Sequence, residues 1–151
     1  MKDQFVGGLK MSEIVARCGF RCDECGAYTG NTQTHDDRLK VAAAWNRYFG
    51  LNLAPEKLRC NGCWGNACAG SDLPDPSCPI RACVMERGMN TCADCFDYPC
   101  EKMETRMKGV EEAIARFRDK ITHAEYDAYL APYDARRTLC EIRDRRVDRI
   151  D

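Results

Sequence analysis

The clearest periodicity in the chain is a stripe of apolar residues in its C-terminal third. Met103, Met107, Val110, Ile114, Phe117 and Ile121 are separated by 4, 3, 4, 3 and 4 residues, the a/d spacing of one amphipathic helix. The stripe predicts a core-facing helix, with a dimerisation seam as its other use; roughly three heptads do not define a coiled coil. "THAE" at Thr122 to Glu125 is a capping-box signature for a second helix. Leu139, Ile142, Arg146 and Ile150 mark one side of a last one. Nearer the N-terminus, "THDDRLKVAAAWNRYFG" predicts a helix capped by Thr34, with Asp36 and Asp37 favourable to its dipole. Val41, Trp45, Tyr48 and Phe49 fall on one face of it, and Gly50 suits its C′ position. Pro79 fits the first helical position of "PIRACVMERG", which Gly88 closes.

Elsewhere the pattern fails. "NLAPEKLRCNGCWGNACAGSDLPDPSCP" is rich in Gly, Pro, Asn and Asp and reads as loop, and "MNTCADCFDYPC" as a second one. No segment alternates as a strand should, which leaves room only for short strand pairs under the loops. Eleven of the twelve cysteines lie between residues 18 and 100, with Cys140 alone beyond them. The predicted organisation is a cysteine-rich, metal-binding module over residues 11–102, followed by a helical tail over 103–151 that packs on the module or serves dimerisation. The fold class is mostly α, with a small α+β domain as the variant. The hydrophobic fraction of 44% counts those cysteines, so the ordinary apolar core is smaller than it looks.

The cysteines then need a partner. The first eighteen residues hold no signal-peptide core, and no run of about 18 apolar residues occurs anywhere. The expected location is the cytoplasm, where thiols stay reduced and structural disulfides are rare. Metal is the alternative use of so many thiols. A Cys-x₂-Cys unit recurs three times, as Cys22/Cys25, Cys60/Cys63 and Cys92/Cys95. Such a turn lets two sulfurs converge on one ion, and two of the three units carry glycine in or beside the turn. Cys18, Cys68, Cys78, Cys83 and Cys100 supply further sulfurs, Cys78 and Cys100 at helix starts where thiolate charge is favoured. Three units interleaved with these read as tetrahedral Cys₄ zinc sites, two or three ions in all. Each Cys₄ zinc carries a net charge of about −2, which Arg17, Arg21, Arg59, Arg81, Arg87 and Lys102 stand near enough in sequence to offset.

An iron–sulfur cluster is the competing cofactor. "CGFRCDEC" has the Cys-x₃-Cys-x₂-Cys spacing of radical S-adenosylmethionine enzymes. Those enzymes need a barrel of about 200 residues or more, for which this chain is too short and lacks the strand–helix alternation. The ferredoxin run is missing. "CDEC" surrounds its turn with carboxylates, which oppose the thiolate that a thioredoxin-like dithiol requires.

No catalytic constellation appears, and the enzyme question stays open with the balance against it. His35 and His123 are the only histidines, and each sits at a predicted helix start. Residues 134–151 carry six arginines but five acids, a salt-bridged face rather than a phosphate-binding stripe. With a chain charge of −1, nucleic acid and membranes find no support. An unknown protein partner or a homodimer is the expected interaction.

The ordered units "ARCGFRCDECGAY", "LRCNGCWG" and "CPIRACVMERGMNTCADCFDYPCEKM" resemble a family of small bacterial and archaeal proteins known as domain of unknown function 3795. The likeness runs from about residue 15 to 105. It implies a small cytosolic protein that binds metal through Cys18, Cys22, Cys25, Cys60, Cys63, Cys78, Cys83, Cys92, Cys95 and Cys100, and it brings no established activity. Many members carry a cysteine three residues before the one matching Cys78. Asp75 stands there in this chain, so either Cys68 or Asp75 would complete that site. The expected function is a zinc-binding, non-catalytic structural-metal module acting through protein–protein contacts, with an iron–sulfur or redox-sensing protein as the alternative.

Overall fold

The computed structural model describes residues 5–6, 9–10, 13–28, 31, 34–60, 62–63 and 78–150. Among them the chain is mostly helical. Five α-helices follow in order: α1 (His35–Phe49), α2 (Pro79–Glu86), α3 (Glu101–Phe117), α4 (His123–Tyr129) and α5 (Ala135–Ile150). Strand structure is limited to β1 (Phe5–Val6) against β2 (Leu9–Lys10), and to the single bridges Val15–Arg21 and Tyr28–Cys60.

Local chemistry accounts for the helix ends. Thr34 accepts the Asp37 N–H while the Asp37 carboxylate accepts that of Thr34, a reciprocal box that starts α1. Gly50 ends it in the left-handed region at φ 70°. Pro79 opens α2, and Cys78 is its N-cap. Cys100 holds the same place before α3. At α4 the expected box is only half made. Thr122 caps the Glu125 N–H, but the Glu125 carboxylate accepts the Tyr48 hydroxyl at 2.9 Å and pairs with Arg47. A tertiary partner outcompetes the local one.

The apolar stripe of α3 faces the core. Met103 and Met107 are fully buried, and Val110, Ile114 and Phe117 are partly so. Ile121 lies beyond the end of the helix, in the turn before α4. One cluster joins Val15, Ile80 and Val84 to Met103, Met107, Leu139 and Ile142, with Cys18, Cys22 and Cys92 among them. The sulfur-bearing loops and the terminal helices therefore share a core. Burying three side chains of the size of Met103, Met107 and Leu139 is worth about 1.5–3 kcal/mol each.

Polar contacts fasten α5 to the same loops. Glu13, its side chain 2% exposed, lies between Arg21 and Arg145 at 3.4 and 3.1 Å. The Pro132 carbonyl accepts the Arg21 N–H at 2.8 Å. Arg143 donates to the carbonyls of Ala93 and Cys95 and lies over the Tyr98 ring. Arg146 pairs with Asp94. Arg136 bridges Glu104 and Glu111, and Arg137 pairs with Glu141 one turn on. Arg136, Arg137, Arg143, Arg145 and Arg146 of α5 are thus engaged with acids and carbonyls of the fold.

Asp94 yields a prediction. Burial alone would raise its carboxyl, but the Asn90 and Thr91 N–H groups and Arg146 outweigh it and hold it below the usual range. A depressed carboxyl contributes stability at neutral pH that is lost as pH falls through its folded value. Asp94→Asn is expected to cost about 1–3 kcal/mol at pH 7. In urea melts the gap to the parent protein should close toward pH 3; a gap independent of pH would refute the assignment.

No described helix is long and apolar enough to cross a membrane.

Candidate metal centre

Two of the cysteine pairs are built the same way. Cys22–Glu24 and Cys92–Asp94 are each one 3-10 turn. In the first, the Cys25 N–H donates to the Cys22 carbonyl at 3.1 Å and the Tyr28 N–H to Cys25 at 3.2 Å. In the second, Cys95 donates to Cys92 at 3.2 Å and Tyr98 to Cys95 at 3.4 Å. The shared pattern is Cys-x₂-Cys-x₂-Tyr, a repeat that Cys-x₂-Cys spacing alone hides. A backbone hydrogen bond from Cys92 to the Arg17 carbonyl at 3.0 Å ties the second turn to the segment that precedes the first. The middle pair enters through the Tyr28–Cys60 bridge, with the Cys60 N–H on the Ala27 carbonyl.

The sulfurs fall into two neighbourhoods that share Cys78. Cys18, Cys22, Cys25, Cys60, Cys63 and Cys78 line one cavity of about 390 Å³, together with Phe20, Trp45, Phe49, Val110 and Tyr133. Arg17, Arg81 and Arg106 border it. The second neighbourhood surrounds Cys92, whose charge is opposed by those of Cys100, Cys95, Cys83 and Cys78. Arg87 reaches into it, donating to the Cys95 sulfur at 3.2 Å and pairing with Asp97. Cys68 and Asp75 lie outside the described residues, so neither can be placed in a site. Cys140 is exposed on α5, with Asp144 as its neighbour.

Donors point at the sulfurs. The Arg17 N–H reaches Cys63 at 3.1 Å, Ala27 reaches Cys25 at 3.4 Å and Gly62 reaches Cys60 at 3.2 Å. The Arg106 guanidinium reaches Cys78 at 3.1 Å. Cys25 has a second partner, the Tyr133 oxygen at 3.1 Å. Trp45 Nε1 donates to that same oxygen at 3.1 Å. An indole N–H can only donate, so Trp45 leaves the Tyr133 hydroxyl proton available, and either Tyr133 or Cys25 can be the donor between them. Tyr133 is held there by edge-on contacts with Phe20, Trp45 and Phe49 at 5.5–5.8 Å.

Electrostatics give these thiols one strong requirement. Burial pushes the Cys18 thiol up to about 12, with Cys63 and Cys78 adding repulsion against the opposing Phe20 backbone and Arg106. Burial also raises Cys22, reinforced by Cys63, Cys25, Cys60 and Cys18. Cys92 is pushed to about 12 in the same way. Burial raises Cys25 against the hydrogen bonds of Tyr133, Ala27 and Tyr28. Such groups stay neutral by themselves. A divalent cation reverses the balance, because a coordinating thiol loses its proton.

The donor set fits a thiophilic ion in kind: sulfur ligands from separate loops, with N–H and O–H groups aimed at them. Each described cysteine is a free thiol. Among the described residues, no three Cys, His, Asp or Glu side chains are drawn together as they would be on an ion. His35 and His123 each begin a helix, α1 and α4, and both are exposed; His123 pairs with Asp127.

Arg106, Arg143, Trp45 and Tyr133 escape a reading of the sequence as partners of the cysteine loops. The first two lie far along the chain from the cysteines they touch, and the aromatic pair looks like ordinary core. Tyr133→Phe tests the hydroxyl. The ring contacts survive, and reactivity of the Cys25 thiol toward a maleimide is expected to change by several-fold. Unchanged reactivity would remove Tyr133 from the site.

A small, cysteine-rich, mostly α protein with its thiols gathered at the junction of loops and helices is what the fold and site define. The chain belongs to the DUF3795 family, proteins of unknown function, whose family model matches residues 14–105. Tyr133 and all of α4 and α5 lie beyond that match. No curated protein and no solved structure matches the chain.

Proposed function

We propose that the chain is a zinc-binding, non-catalytic module in which thiolate-held ions tie the cysteine loops to the helices. The observation that carries this reading is the set of donors on Cys25, Cys60, Cys63, Cys78 and Cys95. A neutral thiol is a weak acceptor, whereas a metal-bound thiolate gains from every N–H it receives. Cys83, Cys92, Cys95 and Cys100 make one Cys₄ set, and the cavity cysteines supply the rest. Sulfur-only ligation favours closed, structural ions over a catalytic ion with an open position. The module then acts in the cytoplasm through contacts with a protein partner. Phe96, fully exposed beside Cys95, is the kind of anchor such a contact uses.

The alternative is an iron–sulfur cluster used in electron transfer or redox sensing, for which the cysteines lining the one cavity would supply the four thiolates. Elemental analysis of protein purified without oxygen separates the two. Zinc at two or three equivalents in colourless protein supports the first reading. Brown protein with iron and acid-labile sulfide supports the second, and metal-free protein contradicts both.

A further inference from the structure

The cavity bordered by the cysteines has features that an ion does not use. Phe20, Trp45, Phe49 and Tyr133 give it aromatic surface, and Arg17, Arg81 and Arg106 give it positive charge. Among the described residues that line it there is no Asp, Glu or Lys. Its volume of about 390 Å³ suits a small organic molecule, whose pockets are mostly apolar with a few polar groups that fix orientation.

Helix α3 carries the sharper sign. Arg106, Gly109 and Val110, at i, i+3 and i+4, share one face of it, and all three line the cavity. Glycine inside a helix costs stability against alanine, so its place there needs a reason. Backbone conformation supplies none, since Gly109 lacks the positive φ of Gly19, Gly50, Gly62 and Gly88. Packing supplies none either, because a Cβ on Gly109 would meet no described atom within 4 Å. Gly109 and Leu51 are both exposed while lining the cavity, which puts its mouth between α3 and the residues after α1. The missing side chain keeps that way in open.

From these features we infer that the cavity binds a small aromatic carboxylate, admitted past Gly109, with its ring among Trp45, Phe49 and Tyr133 and its charge on Arg81 and Arg106. The cavity has a basic part and an aromatic part, as such a molecule requires. Arg106 reaches the Cys78 sulfur at 3.1 Å, and Arg81 lies one turn into the helix that Cys78 caps. Tyr133 and Trp45 stand instead by Cys25, through contacts of 3.1 Å. A ring packs edge-on or offset against such side chains, and a guanidinium receives a carboxylate through parallel N–H bonds. The inference goes beyond the metal reading and does not depend on it. One Cys₄ ion on the cavity sulfurs carries a charge of about −2, so three guanidiniums leave the lining net positive with the ion present.

Titration calorimetry on the full chain as isolated, with metal content measured in the same samples, tests this with two probes. They are naphthoate and the matched cation naphthylmethylammonium. One naphthoate is expected to bind per chain, about tenfold or more tightly than the cation. Arg81→Gln and Arg106→Gln should each weaken naphthoate by about tenfold. Gly109→Phe, at an exposed position with open space around it, should keep the parent's thermal transition and lose naphthoate binding. Absence of saturable naphthoate binding, equal affinity for the two probes, or full affinity in Gly109→Phe would overturn the pocket. Zinc-loaded protein that ignores naphthoate would leave the metal reading standing, whereas metal-free protein that binds it would leave only the pocket.

Discussion

On the zinc-binding reading proposed above, a chelator is expected to abolish cooperative unfolding. Two observations lead there. The central core contains Cys18, Cys22 and Cys92 themselves, packed with Val15, Val84, Met107 and Leu139. Two of the loops that carry the thiols, Cys22–Glu24 and Cys92–Asp94, are single 3-10 turns. Binding free energies of structural zinc sites run to about 10–16 kcal/mol, comparable to the whole stability of an ordinary domain at about 5–15 kcal/mol. A chelator strong enough to take the ions should turn a sharp thermal transition into a broad one, and zinc should restore it. Replacing Cys22 and Cys25 together by serine should have the same effect without a chelator. Cys140→Ser, on the exposed face of α5, should leave the melting temperature within a degree or two. A double variant as stable as the parent would refute the ligand assignment.

Gly19→Ala is expected to be among the most damaging single changes outside the cysteines. Gly19 lies between Cys18 and the turn that carries Cys22, at φ +99°, where a side chain is strained. A Cβ there would sit 2.8 Å from Cγ of Leu139, which is fully buried. The strain and the overpacking together cost about 2–5 kcal/mol. Leu139→Ala alone should cost a similar amount through the cavity it leaves. The two changes are not independent, because the truncated side chain makes room for the new methyl group. The double variant should therefore be more stable than the sum of the singles implies, a coupling that urea melts measure directly. Strict additivity would show that the first loop and α5 do not meet at this point.

Helices with strong local signals could be read from the sequence almost residue by residue. Thr34, Pro79 and the Met103–Phe117 stripe each carry their own physical reason, a cap, a fixed φ or a period. What depends on distant partners could not be read that way. Glu125 satisfies the local rule for a capping box, yet Tyr48 and Arg47 take its carboxylate. Ile121 keeps the heptad spacing, but α3 ends before reaching it. The cysteines announced themselves by number and spacing. How they divide did not, because the division follows from which loops pair, Arg17 with Cys92 and Ala27 with Cys60. Tyr133 is the furthest case. Its place on Cys25 depends on the long excursion through α3 and α4, and no local pattern around Pro132 marks it.

X-ray absorption at the zinc edge of gently isolated protein tests the central claim most directly, because it reports the atoms bound to the ion. A shell of four sulfurs per zinc at about 2.3 Å is the predicted result. A shell of nitrogen or oxygen at about 2.0 Å, or protein that carries no zinc while it remains compactly folded, would contradict it.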